Sequence, residues 1–189
     1  MPSDRSAETH SLPAAAYVIL GMLRLGAETG YDVKKAVQSS TRFFWTISEA
    51  QIYPLLSKLE DLGLVEGRDA SHGRRQRRAF RLNDEGEIAL SAWLRRDEPA
   101  PFEVRDVALL KLFFGDAVGP DDGLALVSRL RSRSQAELTR LREQEGPAQE
   151  LARATGNRFP ALSLRAGIAV HEALVAAADG LERELVTPL

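Results

Sequence analysis

The sequence predicts a mainly α-helical protein. An N-terminal winged helix-turn-helix with a two-stranded wing is followed by a C-terminal all-α dimerisation domain. Three observations carry this reading. Residues 48–62 form a capped amphipathic helix that stops at Gly63 and runs directly into a strand. A turn then leads to a second strand crowded with arginine. Beyond Pro99 and Pro101 the strand pattern does not return, and apolar residues recur at spacings of three and four.

Residues 1–10 are polar and read as a flexible arm. The winged-helix domain occupies 11–98. Its first helix starts near Ser11 with Pro13 in the first turn. Tyr17, Val18, Leu20, Gly21 and Leu23 make that helix too apolar for the surface. A second helix starts near Thr29 and reaches about Ser39. It is expected to turn Tyr31, Val33, Ala36 and Val37 inward and Lys34 and Lys35 outward. In the third helix Ser48 is the N-cap, and Gln51 three residues on completes a capping box. Ile52, Leu55, Leu56, Leu59 and Leu62 form one stripe, which leaves Ala50, Gln51, Tyr53, Pro54, Ser57 and Lys58 on the outer face. Pro54 cannot bond the Ala50 carbonyl, a defect of about 3 kcal/mol in a helix interior, and is expected to bend the helix start. Residues 64–68 and 77–82 read as antiparallel strands, with Phe80 and Leu82 alternating with Arg81. Asn83 caps a further helix carrying Ile88, Leu90, Trp93 and Leu94.

The C-terminal domain, 102–189, reads as all helix. Residues 103–114 form a compact apolar helix that stops at Gly115. Residues 121–145 form a long charged helix with Leu124, Val127, Leu130, Leu138 and Leu141 as its seam. Gly146-Pro147 is expected to break it, and 148–154 to add a shorter helical stretch. The last helix, 161–186, carries Leu164, Ile168, His171, Leu174, Val175, Ala178, Leu181 and Leu185. That stripe is too long to leave wet, so burial in a homodimer is expected.

Charge is informative locally rather than globally. The chain of 189 residues has a formal net charge of −2, which does not suit a protein that coats nucleic acid. Between 68 and 81, however, arginines stand at 68, 74, 75, 77, 78 and 81 against Asp69 alone. A polar helix face beside a basic hairpin is the way a winged helix meets DNA. Gln51 can pair with adenine, and Lys58 can reach a guanine or a phosphate. Tyr53 can bond a phosphate oxygen, and Ser57 shares their face. Arg74 and Arg75 fall at the wing tip, where arginine enters a narrow minor groove. Arg77 and Arg78 are expected to grip phosphates. A winged-helix module that docks a protein and never touches DNA is the alternative, and the density of arginine argues against it.

Catalysis finds no support. There is no cysteine, and the three histidines, His10, His72 and His171, fall in unrelated contexts without metal-ligand spacing. No phosphate-cradling glycine loop is present. The chain is therefore expected not to be an enzyme and to use neither cofactor nor metal. No apolar run reads as long enough to cross a bilayer and no signal peptide is visible, so a cytoplasmic location without a membrane partner is expected.

Several segments together resemble the PadR family of transcriptional regulators. They are Tyr17 to Leu23, Thr29-Gly30-Tyr31-Asp32, Ile52 to Glu60, Gly63-Leu64-Val65, and Arg81-Leu82 before Asn83-Asp84-Glu85-Gly86. In the second half, Leu110 to Asp116 and Leu164 to Ile168 are similar to the longer subclass of that family. The resemblance implies a homodimer held by C-terminal helices, two winged heads on an inverted repeat, and repression relieved by a small-molecule effector. On that analogy Phe43, Phe44, Trp45 and Trp93 are candidates for an effector pocket. Ala50-Gln51 and His72-Gly73-Arg74-Arg75-Gln76 depart from the family pattern, which implies a different preferred operator and leaves the conformation of the wing open.

Overall fold

The computed structural model describes residues 12–72, 75–97 and 104–187, with the side chains of 70–77 also left out of the description. The expected arm at 1–10 and the prolines at 99 and 101 lie outside the described residues. The chain divides into two compact units, Met1–Ala100 and Pro101–Leu189.

The first unit contains α1 (Ala14–Arg24), α2 (Gly30–Ser39), α3 (Glu49–Asp61), β1 (Val65–His72), β2 (Arg75–Leu82) and α4 (Asp84–Leu94). Its helix boundaries follow local chemistry. Pro13 is the N-cap of α1 rather than a first-turn residue. Thr29 and Asp32 bond each other reciprocally at the start of α2. Helix α3 ends in a Schellman motif: Gly63 takes φ +72°, its amide donates to the Glu60 carbonyl, and the Leu64 amide donates to Leu59. Helix α3 runs through Pro54 without interruption. Asn83 Oδ1 accepts from Gly86 N while Asn83 Nδ2 donates to the Gly63 carbonyl, both at 2.9 Å. One side chain thus joins the end of α3 to the start of α4.

Ala16, Tyr17, Ile19 and Leu20 of α1 meet Val33 and Val37 of α2 and Ile52, Leu56 and Leu59 of α3 in a single core. Each fully buried Ile or Leu contributes roughly 1.5–3 kcal/mol. The hairpin is longer than its alternation suggests, with pairing from Val65↔Leu82 out to His72↔Arg75. Val65, Phe80 and Leu82 turn toward the core. The Phe80 amide donates to the Glu28 carbonyl at 2.6 Å, which anchors β2 to the segment ahead of α2. Tyr31 departs from expectation: it is 62% exposed and does not belong to the inner face of α2. Valines 33 and 37, one turn apart, suffice to seat that short helix.

The second unit contains α5 (Val107–Phe113), a 3-10 turn (Gly115–Ala117), α6 (Pro120–Glu143), α7 (Glu145–Thr155) and α8 (Phe159–Val186). Helix α5 is shorter than the expected 103–114 because Asp106 caps it, accepting from Ala108 N at 2.7 Å. Arg133 of α6 grips the same carboxylate with both terminal nitrogens. Helices α6 and α8 pack together through Val127, Leu130, Leu138 and Leu141 against Leu164, Ile168 and Ala178. Ser134 fills the gap in the α6 seam that the apolar pattern left blank, and it is fully buried. Leu124 and Leu185, assigned to the two seams, are exposed instead. Ion pairs from Arg131 to Asp179 and from Arg142 to Glu172 flank the packed face.

Two further expectations need correction. Gly146-Pro147 does not break α6; the break comes at Gln144, and both residues sit in the first turn of α7. There a missing amide costs nothing, because first-turn amides have no intrahelical partner. Helix α8 is also long and apolar enough, by length and composition, to cross a membrane, with a mean hydropathy of 1.4 over its best window. Its packed seam and flanking ion pairs place it as the spine of a helical unit.

Candidate nucleic-acid interface

Helix α3 presents one polar row. Ile52, Leu56 and Leu59 are fully buried, which rolls Gln51, Tyr53, Ser57 and Lys58 to the outside, all exposed. The Gln51 carbonyl is already engaged at the helix start, accepting from Ser48 N at 3.1 Å and from Ser48 Oγ at 2.9 Å. Tyr53 lies over the first residue of α2, so close that a Cβ on Gly30 would stand 2.7 Å from the ring. A side chain at position 30 would push Tyr53 off this seat. Lys34 of α2 donates to Glu49 in the first turn of α3, and that carboxylate raises the lysine pKa. Glu49 also complements the partial positive charge at the start of α3. These α2–α3 contacts are invisible in the pattern of one helix; only the turn that brings the helices together creates them.

The hairpin rises beside α3. Arg74, expected at the wing tip, lies outside the described residues, as do the side chains of Arg75 and Arg77. Arg81 is exposed. Arg78, expected to grip phosphate, is exposed and donates through its Nη2 to Glu60 Oε1 of α3 at 2.6 Å. Its guanidinium carbon also lies 5.8 Å from the centre of the Phe80 ring.

The four aromatic candidates for an effector pocket fall into two places. Phe43 and Phe44 pack edge to face at 4.6 Å in the turn after α2, and Phe44 and Trp45 are exposed. Trp93 stacks flat on Tyr17 at 4.7 Å, against the core. No ring pair among the described residues joins Trp93 to the other three. Among the described residues no group of three His, Asp or Glu side chains could hold a metal ion.

A helix with a polar outer row, seated on a turn and flanked by a basic hairpin, calls for comparison with known DNA-binding heads. Residues 19–92 match the transcriptional regulator PadR-like family, and residues 104–185 match the family described as virulence activator alpha C-term. The negative transcriptional regulator PadR of Bacillus subtilis is 33% identical over 126 residues, which cover 66% of this chain and 69% of that protein. The chain belongs to the PadR-like family. Bacillus subtilis PadR solved with operator DNA aligns at 27% identity with a TM-score of 0.79, covering 92% of this chain and 99% of the other. The same Bacillus protein solved with p-coumaric acid aligns at 24% identity with a TM-score of 0.73, covering 92% and 96%. This PadR-like protein is thus a DNA-binding transcriptional regulator with a winged-helix head, and its family is not a class of enzymes.

Proposed function

We propose that this PadR-like protein is a ligand-responsive repressor that binds an inverted-repeat operator as a homodimer in the cytoplasm, without a membrane partner. The observation that carries the reading is the exposed row Gln51, Tyr53, Ser57 and Lys58 on a helix whose opposite face is fully buried. Laid in the major groove, that row brings an amide to base edges near the helix start and an ammonium to phosphate or guanine one to two turns on. Arg74 and Arg75 enter the adjacent minor groove, and Arg77 holds phosphate.

Apolar surface supports the dimer. Val107, Leu110, Phe113 and Phe114 at α5 and Val170 and Leu185 of α8 are all exposed in the single chain. Apolar surface gathered on helices in this way favours a second copy. For the effector, the operator-binding relative has also been solved with an aromatic acid, and Phe43, Phe44 and Trp45 offer aromatic surface here.

The test is fluorescence anisotropy of the purified protein on its own upstream DNA at two salt concentrations, with scrambled competitor. Competitor-resistant binding that weakens steeply with salt is expected. Release of that DNA by p-coumaric acid or another aromatic acid, followed by tryptophan fluorescence, tests the effector. Absence of even weak salt-dependent binding would favour the protein-docking alternative.

A further inference from the structure

The described part of the wing is tied to the recognition helix by an internal ion pair, and the tie has a built seat. In the hairpin register Val65 faces Leu82, Gly67 faces Phe80 and Asp69 faces Arg78. Side chains alternate along a strand, so Arg78 shares its face with Phe80 and Leu82. Phe80 is buried and Leu82 packs against the core, so this is the face that looks toward α3. Arg78 follows that direction: its Nη2 reaches Glu60 Oε1, in the last turn of α3. Gly67 lies under both groups. A Cβ there would stand 2.7 Å from Arg78 Nε and closer still to the Glu60 carboxylate. The glycine has no positive φ, and a Cβ there would have to displace the ends of both side chains from this pairing.

We propose that Arg78 is a positioning residue rather than a DNA contact: with Glu60, across Gly67, it sets the angle between the wing and the recognition helix. The phosphate-gripping role expected from sequence then falls to other arginines of the hairpin. Helix α3 reaches bases and the wing reaches the neighbouring groove only if the two are held at one fixed angle. The base of the hairpin is already held by the Phe80–Glu28 backbone bond. The Glu60–Arg78 pair lies two residues farther out along β2, so it adds a second point of attachment that limits rotation of the hairpin about its base.

The inference rests on the DNA-binding reading, and the experiment separates the two. Arg78→Ala, Glu60→Ala and the double variant are measured on operator DNA across a range of salt. A positioning pair predicts that both single variants weaken specific binding by a similar factor, about tenfold. The double variant is then no worse than either, and the slope of log affinity against log salt stays at the wild-type value. A phosphate contact predicts the reverse: Arg78→Ala flattens the slope by about one, while Glu60→Ala frees the arginine and leaves binding unchanged or tighter. That second pattern would overturn the proposal. Amide exchange across residues 65–82 in the protein without DNA gives an independent readout. Faster exchange in both single variants, with no further gain in the double, supports the tie. Unchanged exchange overturns it, even if wild-type protein binds no DNA and the DNA-binding reading fails.

Discussion

At the scale of single residues, two polar groups among the described residues are left unsatisfied by their packing. Ser134 Oγ and His171 Nδ1 are buried without a hydrogen-bond partner. A buried hydroxyl left unpaired costs about 1–3 kcal/mol. Ser134→Ala is therefore expected to raise stability by about 1 kcal/mol, read as a higher urea midpoint; a lower midpoint would mean that the hydroxyl has a partner after all. His171 faces Glu137, Arg133 and Arg140 of α6 and Asp106 at the cap of α5. Burial holds its pKa below the ordinary 6.5. The folded chain then binds fewer protons here than the unfolded chain, so stability is complete above the ordinary value and falls as pH drops through the window beneath it. Urea midpoints compared at about pH 7.5 and about pH 5.5 should show this loss, and His171→Leu should reduce it. An equal loss in wild type and variant would assign the effect to other groups.

At the scale of elements, helix ends were legible in sequence because their causes are local. Ser48 with Gln51, Gly63 and Asn83 each act within four residues of the boundary they set. The stripe of α3 was legible for the same reason, and its removal has a definite cost: Leu56→Ala should destabilise by about 2–5 kcal/mol in thermal or urea unfolding. A cost below about 1 kcal/mol would mean that the first unit is not built around that stripe. What the sequence hid are contacts across elements. Lys34 with Glu49, Glu60 with Arg78 and Asp106 with Arg133 are 15, 18 and 27 residues apart. The expected break at Gly146-Pro147 failed because proline is harmless in a first turn, and position within a helix is not visible until the helix start is known. Tyr31 was placed inward by apolar character alone, although its hydroxyl suits it to the surface.

At the scale of the whole molecule, a small net negative charge coexists with a basic hairpin, so attraction to DNA is local and its salt dependence countable. Lys58→Ala should lower the salt slope of operator binding by about one if its ammonium meets a phosphate. An unchanged slope with altered base preference would place that lysine on a guanine instead. One further coupling follows from the start of α3. Gln51 holds Ser48 through the same carbonyl that a two-bond contact to adenine would use. In the proposed complex that residue trades an internal partner for an external one, so discrimination at that base pair carries the loosening of a helical turn. Operator preference would then drift with temperature, because the fraying of that turn and the choice of base have become the same equilibrium.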